Sequence, residues 1–236
     1  MNLNNMDKTI LYYSSSQEDP IFEQKIIDDL KKKAGNIPII SVTRKPLDLG
    51  INICVGEVPI SYTSEWKQLL IGLKAAKTKF CIAVESDCLY PPEYFEFTPP
   101  EEEMMYNYNN IWIIWKRHNG FWQKRGYCEG AQICGREYWI ERLEPLLPDK
   151  WEPYTRDREN KLVREIFPER KEFTGNPVIS FKTGDGVSSR TTFVNKKIKE
   201  INYWGDIATL KKKYFKSYEV NSPAIPPLSR VGQGRT

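Results

Sequence analysis

The chain has 236 residues, of which 40% are hydrophobic and 28% charged, a balance typical of a globular protein with a substantial core. Its net charge of +4 is well short of that of a dedicated nucleic-acid-binding domain, and its lysines and arginines are spread along the chain. No stretch approaches the roughly 18 consecutive apolar residues of a membrane span, and the polar N-terminus carries no apolar signal segment, so we expect a cytoplasmic protein without a membrane partner.

Two strands with a helix between them are predicted at the start of the chain. Residues 9–13 and 37–42 are largely apolar runs, and in the segment between them apolar side chains recur every four residues, as in a helix. Asp19 followed by Pro20 predicts the start of that helix, and Gly35 predicts its end. A strand-helix-strand order is typical of a parallel α/β sheet.

A second helix and a third strand follow. Residues 43–61 are predicted to be irregular, and Ser64 is predicted to cap a helix with one apolar face. Residues 80–84 form a short, continuous apolar run, which is how a central parallel strand reads when both of its faces are covered.

Beyond residue 90 the predicted elements are shorter. We predict strands at residues 111–115, 127–134 and 178–181, helices at residues 136–143 and after an exposed loop at 150–157, and a last helix that Asp206 caps and that runs towards Tyr214. The chain is thus predicted to form a single α/β domain over residues 1–220, with a mixed, mainly parallel central sheet flanked by helices. Residues 221–236, rich in Pro, Gly and Ser, are predicted to be a flexible tail.

Cysteine and histidine are sparse. The five cysteines are Cys54, Cys81, Cys88, Cys128 and Cys134. None of them belongs to a C-x-x-C pair, and the only histidine, His118, is predicted to lie in a hairpin turn, so a structural zinc site is not expected. Because the count is odd and Cys81 and Cys134 lie in apolar runs, we expect reduced, buried thiols.

The strongest chemical signal is Glu85-Ser86-Asp87, which directly follows the apolar run at residues 80–84. Ligands of open α/β sheets bind beyond the carboxyl ends of the strands. Two carboxylates placed there repel each other unless a cation lies between them or one is protonated. Carboxylates are hard oxygen ligands, so the pattern predicts Mn²⁺ or Mg²⁺. The alternative is a pair of acids that ends a strand in solvent.

The surrounding sequence resembles the GT-A superfamily of glycosyltransferases, from about residue 9 to residue 167 and more weakly to residue 181. The resemblance lies in the opening strand Ile10-Leu11-Tyr12-Tyr13-Ser14, the loop Gly50…Asn52…Gly56, and the run Glu85-Ser86-Asp87-Cys88-Leu89-Tyr90-Pro91-Pro92-Glu93. It implies a donor half at about residues 1–95 and an acceptor half at about 96–220. Some phage members of the superfamily glycosylate hydroxymethylated bases in DNA.

The resemblance also implies the residues that bind the donor. Glu85 would contact the ribose side of the nucleotide and Asp87 would bind the metal. Ser86 stands where many members carry another acid, which is a departure from their pattern. The remaining donor contacts would come from the ends of the first two strands: Tyr12, Tyr13, Ser14, Thr43 and Lys45. One of the two tyrosines is expected to face the core of the sheet.

For the acceptor half, the resemblance implies a carboxylate that takes the proton of the attacking hydroxyl in an inverting transfer. The candidates are Asp157, then Glu159 and Glu129; Asp157 could equally cap a helix. A late histidine that serves as a further metal ligand in many members is missing, and Asp185 could replace it or simply lie in a turn.

The predicted function is therefore a metal-dependent glycosyltransferase that uses a nucleotide-sugar, with a UDP-sugar as the first choice and a hydroxymethylated DNA base as one acceptor. The alternatives are a glycan, lipid or protein acceptor, a nucleotidyltransferase, a metal nuclease, or a non-catalytic protein that binds sugar nucleotides. A nucleotidyltransferase would carry a glycine-rich loop after the first strand, where this chain has Ser14-Ser15-Ser16.

Overall fold

The computed structural model describes residues 7–126, 128–153, 169–184 and 193–215. The strands in these ranges are β1 (Lys8–Ser14), β2 (Ile39–Thr43), β3 (Ile51–Cys54), β4 (Phe80–Glu85), β5 (Cys88–Leu89), β6 (Met105–Tyr108), β7 (Ile111–Trp115), β8 (Phe121–Lys124), β9 (Gln132–Gly135), β10 (Arg170–Phe173), β11 (Val178–Lys182), β12 (Phe193–Ile198), β13 (Glu200–Ile201) and β14 (Gly205–Asp206). The α-helices are α1 (Pro20–Ala34), α2 (Tyr62–Ala75), α3 (Pro92–Glu96), α4 (Arg136–Leu143) and α5 (Ile207–Tyr214).

A seven-stranded sheet with the order β10-β6-β9-β4-β1-β2-β3 lies at the centre of the molecule. From β4 to β3 all neighbouring strands are parallel, β9 is antiparallel to both β4 and β6, and β10 is parallel to β6. The predicted fold class, an α/β protein with a mixed, mainly parallel central sheet flanked by helices, is confirmed. Strands of the predicted donor half, up to residue 95, and strands of the predicted acceptor half are hydrogen-bonded within this one sheet.

The central strands are apolar because helices cover both of their faces. In β1, Ile10 and Tyr12 belong to one hydrophobic cluster, which also contains residues of α1 and α3. Leu11 and Tyr13 belong to a second cluster, which contains Leu69 of α2 and residues of α4. Alternate side chains of a strand point to opposite faces, so a strand buried on both faces has no polar period.

A second sheet, with the order β12-β8-β7-β11-β5, packs beside the first. Its apolar side chains form a third cluster with α1 and α5, through residues such as Phe22, Phe181 and Leu210. Strand β5 follows β4 after only Ser86 and Asp87, so the acidic motif lies where the chain passes from one sheet to the other. The turn between β7 and β8 contains His118, as predicted.

Polar caps fix the helix ends. The Asp19 carboxylate accepts the backbone N–H groups of Ile21 and Phe22 at the start of α1, and Gly35, with φ of +59°, ends that helix. Asp206 caps α5 in the same way. The prediction of Ser64 as the cap of α2 is wrong: Ser61 is the cap, and its hydroxyl accepts the Ser64 N–H. Both serines precede the same apolar face, so the sequence pattern fits either of them as the cap. Only the backbone conformation shows which one caps the helix.

Two further predictions need correction. The segment 43–61, predicted to be irregular, contains β3, an edge strand of four residues that pairs with β2 and is too short and too exposed to stand out as an apolar run. Among the described residues of the predicted strand 127–134, which begin at Cys128, only 132–134 are in a strand, and Cys128 to Ala131 form a turn closed by a hydrogen bond from Ala131 N–H to Cys128 O.

The predicted helix that follows the loop at 150–157, residues 154–157 of that loop and the predicted tail at 221–236 lie outside the described residues. Cys54, Cys81, Cys88, Cys128 and Cys134 are free thiols, and all but Cys54 are buried. Among the helices described, none has the length and apolar character needed to cross a membrane.

Candidate functional site

Glu85 ends β4 at the carboxyl edge of the central sheet, and contacts with two tyrosines and one glycine hold it in place. The Tyr13 hydroxyl donates to Glu85 Oε1 at 3.3 Å, and the Glu85 N–H donates to the Tyr90 hydroxyl at 3.0 Å. Tyr90 in turn donates to Gly130 O at 2.5 Å. A Cβ at Gly130 would lie 2.4 Å from Glu85 Cδ, so glycine at this position is what allows the turn at residues 128–131 to approach the carboxylate.

The surroundings of Glu85 favour its neutral form. Burial, followed by the charges of Cys128 and Asp87, raises the pKa of Glu85 well above its usual value, and the charge of Lys182 opposes this only in part. Burial and the neighbouring Glu85 also raise the pKa of Tyr13 well above its usual value, so its phenol stays protonated and able to donate. Unless a cation other than the Lys182 ammonium is present, the Glu85 carboxyl at this edge of the sheet resists ionisation.

Asp87 forms an ion pair with Lys182, the last residue of β11. Lys182 Nζ lies 3.3 Å from Asp87 Oδ2, and only 11% of the lysine side chain and 18% of the aspartate side chain are exposed. Burial alone would lower the pKa of Lys182, but the charges of Asp87 and Glu85 raise it well above its usual value. A backbone hydrogen bond of 2.8 Å from Phe181 N–H to Asp87 O fastens β11 to the motif.

Lys182 is the residue of the site that the sequence did not single out. The sequence directed attention to residues 182–186 for a late metal ligand, but to Asp185, which lies outside the described residues. The only local signal for Lys182 is its position directly after the apolar residues 178–181. A lysine at that position is equally typical of a strand end exposed to solvent. Only the fold shows that Asp87 is the partner of Lys182.

The predicted donor contacts lie at the neighbouring ends of β1 and β2. Ser14 pairs with Thr43 in the strand register, and Gln68 of α2 donates to the backbone oxygens of Ser14 and Val42. Thr43 Oγ1 donates to Lys45 O at 2.6 Å, and the Lys45 side chain is exposed. These strand ends therefore form one continuous edge with Glu85.

Tyr12 and Ser86 are buried beside that edge. The Tyr12 ring is fully buried in the cluster shared with α1, and its hydroxyl donates to Glu23 Oε1 at 2.6 Å. Ser86 is 8% exposed, and its side chain interacts with the Tyr12 hydroxyl. Tyr12 thus faces the core, while Tyr13 points towards Glu85, as expected for adjacent residues of a strand.

Glu129 is the only candidate base within the described residues. With Tyr13, Glu65 and apolar side chains of α2 it lines a shallow depression next to Glu85. Its charge is among those that raise the pKa of Tyr13. The other two candidates, Asp157 and Glu159, lie outside the described residues.

Two thiols lie directly against the carboxylates, which the sequence did not lead us to expect. Cys88 Sγ is 3.2 Å from Asp87 Oδ1 and 3.9 Å from Glu85 Oε2. One oxygen of Glu85 and the Sγ atoms of Cys88 and Cys128 all lie within 4.8 Å of one another. The spacing Glu85-x-x-Cys88 is a local signal, but Cys128 joins it only through the turn before β9.

The two carboxylates of the acidic edge lie close together. Glu85 and Asp87 each have an oxygen within 3.9 Å of Cys88 Sγ, and Asp87 is paired with the Lys182 ammonium. Oxygen ligands of this kind suit Mg²⁺ or Mn²⁺. Asp87 and Glu85 are the residues that could hold such an ion.

A polar cleft of about 420 Å³ is lined by Asn107, Tyr108, Asn109, Asn110, Gln123, Lys124, Gly126, Glu172 and Thr174. Asn107 pairs with Gln132 across β6 and β9, and these two residues share a face of the sheet with Glu85. Asn107 Oδ1 and both amide atoms of Gln132 are buried without a hydrogen-bond partner in the described structure. Buried amides of this kind normally find a partner, so the face offers unused hydrogen-bonding capacity.

No protein-family model matches the chain, and no curated protein sequence matches it. Solved structures with a similar fold include the bifunctional IspDF from Campylobacter jejuni, at 9% identity and a TM-score of 0.39 over 72% of this chain. The chain spans 49%, about half, of the length of that protein.

Two further structures are similar. One is a glycosyltransferase involved in the glycosylation of the major capsid of PBCV-1, at 11% identity and a TM-score of 0.43, covering 71% of this chain and 80% of that one. The other is the inositol-1-phosphate CTP transferase from T. maritima, at 10% identity and a TM-score of 0.46, covering 78% of this chain and 92% of that one. Likeness at this level assigns no activity to the chain.

Proposed function

We propose that this chain is a glycosyltransferase that moves a sugar from a nucleotide-sugar, with a UDP-sugar as the first choice, to an acceptor hydroxyl. The observation that carries the proposal is the meeting of Glu85, Asp87 and Lys182 at the carboxyl edge of the parallel strands. Open α/β sheets bind their ligands beyond this edge. A mixed set of carboxylates and one buried ammonium suits a ligand that brings both a diphosphate and a cation.

Mn²⁺ or Mg²⁺ is the proposed cofactor, with Asp87 as its main ligand, Glu85 beside it and Asp185 as a further ligand. When bound, such an ion neutralises the negative charge that develops on the departing diphosphate. Lys182 supplies a fixed positive charge at the same place, because its ammonium is buried and stays protonated. The nucleotide is proposed to lie along the ends of β1 and β2, near Ser14, Thr43 and Lys45.

The acceptor is proposed to enter from the cleft lined by asparagines, next to the buried Asn107 Oδ1, which has no hydrogen-bond partner in the described structure. Its oxygen attacks the anomeric carbon of the sugar, the bond from that carbon to the diphosphate oxygen breaks, and the nucleoside diphosphate leaves. In an inverting transfer a carboxylate takes the proton of the attacking hydroxyl. Glu129, which lines a depression together with Tyr13, is proposed for this role, and Asp157 and Glu159 remain candidates.

The test is to incubate the chain with a panel of nucleotide-sugars, with and without Mn²⁺ or Mg²⁺, and to measure the release of nucleoside diphosphate. Hydroxymethylated DNA and an oligosaccharide serve as parallel acceptors. We expect metal-dependent release from at least one donor, and a decrease of about 100-fold or more in kcat for Asp87→Asn. Asp48→Asn changes an exposed aspartate and is the matched control, which should keep full activity.

Thermal denaturation of each variant shows that it is folded before its activity is compared. If no nucleotide-sugar is turned over and none shifts the melting temperature, the donor assignment is wrong. If pyrophosphate is released from a nucleoside triphosphate instead, the chain is a nucleotidyltransferase. Transfer to the oligosaccharide but not to the DNA would exclude the hydroxymethylated base as the acceptor.

A further inference from the structure

We propose that Glu85, Cys88 and Cys128 form a binding site for a thiophilic divalent cation of the Zn²⁺ class. This site shares Glu85 with the carboxylate site proposed for Mn²⁺ or Mg²⁺ and differs from it in the two sulfur ligands. It does not depend on the proposed function, because it follows from the positions of one carboxylate and two sulfurs. Cys88 and Cys128 also belong to the hydrophobic cluster under the central sheet, and the proposed transfer reaction gives them no part.

The geometry is close to that of a metal site before the ion enters. The ligand atoms of the three residues lie within 4.8 Å of one another. Zinc bonds of about 2.3 Å to sulfur and about 2.0–2.2 Å to oxygen place the ligand atoms around one ion roughly 3.5–4 Å apart. Small rotations of the side chains therefore close the site, and no strand has to move.

The three ligands come from elements that are fixed by hydrogen bonds. Glu85 ends β4 and Cys88 begins β5, so the two-residue connection between these strands sets their separation. Cys128 lies in the turn closed by the 3.0 Å hydrogen bond from Ala131 N–H, and this turn approaches Glu85 through Gly130. A site built on strand ends and a closed turn loses little conformational entropy when the ion binds.

The ligand chemistry selects the ion. Thiolates are soft ligands that prefer Zn²⁺ over Mg²⁺ and Mn²⁺, which take oxygen ligands. Asp87 Oδ1, at 3.2 Å from Cys88 Sγ, is placed to complete a tetrahedral set of four. The Asp87 side chain is 18% exposed, so this ligand remains in contact with solvent.

The pKa values of the Cys88 and Cys128 thiols are shifted in opposite directions. The interaction with Cys88 lowers the pKa of the Cys128 thiol, whereas the same interaction and burial raise the pKa of Cys88. Binding of a divalent cation releases the remaining protons, as is general for thiolate sites.

A second cysteine pair provides an internal comparison. Cys81 and Cys134 face each other in the register of β4 and β9, both are buried, and burial raises the pKa of Cys81 to about 12. Among the described residues, the group of potential metal ligands consists of Glu85, Cys88 and Cys128. It includes neither Cys81 nor Cys134. Facing cysteines alone therefore do not define the proposed site; the carboxylate of Glu85 does.

The experiment is a titration of the reduced, metal-free full chain with Co²⁺, which reports thiolate ligands by a sulfur-to-cobalt charge-transfer band in the near ultraviolet. We expect one Co²⁺ per chain, displaced by Zn²⁺ but not by an excess of Mg²⁺ or Mn²⁺. Cys88→Ser and Cys128→Ser should each weaken binding by more than the roughly 10–100-fold that loss of an outer-shell partner costs. Cys54→Ser and Cys134→Ser, an exposed and a buried control, should keep the band.

A second measurement covers the case in which the serine variants fail to fold. Alkylation of the folded wild-type chain, read residue by residue by mass spectrometry, should be slowed by Zn²⁺ at Cys88 and Cys128 and unchanged at Cys54. The absence of a thiolate band in the wild-type chain overturns the proposal, as does equal protection of all five cysteines. Because no nucleotide is present, failure here is distinct from failure of the transferase assay.

Discussion

The carboxyl group of Glu85 is held in surroundings that suit its protonated form. It is enclosed by Tyr13, Tyr90 and the turn at Gly130, and burial and neighbouring negative groups raise its pKa. The unfolded chain offers none of these contacts, so its carboxyl ionises at the usual pH. The difference between the two states makes the stability of the chain depend on pH.

The sign of this dependence follows from the proton count. Above the usual pKa of a carboxyl, the unfolded chain has released the proton that folded Glu85 still binds, so the free energy of unfolding falls as the pH rises through the folded pKa. Glu85→Gln cannot ionise and escapes this loss. In the presence of a chelator we expect it to be more stable than the wild type at about pH 8, by about 1.4 kcal/mol for each pKa unit between the two states.

Urea denaturation over a pH series measures the effect. The difference between Glu85→Gln and the wild type should disappear at about pH 4, where the unfolded carboxyl is also protonated. Glu103→Gln, at an exposed position, is the matched control and should show no such gain. A gain from Glu85→Gln that is the same at both pH values would mean that ionisation is not its cause.

At the scale of elements, α1 joins the two sheets and depends on its cap. The helix contributes Ile27 and Leu30 to the cluster under the central sheet, and Phe22 and Ile26 to the cluster of the second sheet. Its first turn has backbone N–H groups without helical partners, and Asp19 satisfies two of them. The cap therefore supports both cores.

Asp19→Ala removes this acceptor, and we expect the free energy of unfolding to fall by about 1 kcal/mol, within the usual range of about 0.5–2 kcal/mol. Chemical denaturation measures the loss. Asp19→Asn keeps an acceptor oxygen at the same place and should retain most of the stability. If the asparagine variant is as unstable as the alanine variant, the charge of Asp19 near the helix N-terminus matters more than its hydrogen bonds.

At the scale of the whole molecule, aromatic packing ties the second sheet to both terminal parts of the described chain. The Phe181 ring meets the Phe22 ring of α1 edge to face, with centroids 5.3 Å apart, and lies 5.5 Å from the rings of Tyr214 and Phe215. Phe181 directly precedes Lys182, and its N–H binds Asp87 O. The same residue thus links a core to the candidate site.

Phe181→Ala should lower the free energy of unfolding by about 3–5 kcal/mol, because it removes a fully buried ring and leaves a cavity. Guanidinium denaturation followed by tryptophan fluorescence checks this value. Ile51→Ala on the edge strand β3 is the control, since Ile51 is 68% exposed and its truncation should change stability by less than about 0.5 kcal/mol. Similar losses in the two variants would contradict the proposed importance of the aromatic cluster.

The sequence by itself determined the elements whose signals are local. The continuous apolar run of β4, the four-residue period of α1 and the caps Asp19 and Asp206 each lie within a few residues of the element that they define. The α/β class followed from their order. The position of Glu85 and Asp87 at the end of a buried strand was also readable, because a strand end is a local event.

The tertiary structure alone decided what surrounds those carboxylates. Lys182 lies 95 residues from Asp87 along the chain, and Cys128 and Gly130 reach Glu85 through a turn that the sequence suggested as a strand. Short, partly exposed strands such as β3 were missed because their stability comes from pairing with a neighbour and not from a long apolar run of their own. Contacts between distant residues arise from the packing of the sheets, and no local pattern encodes them.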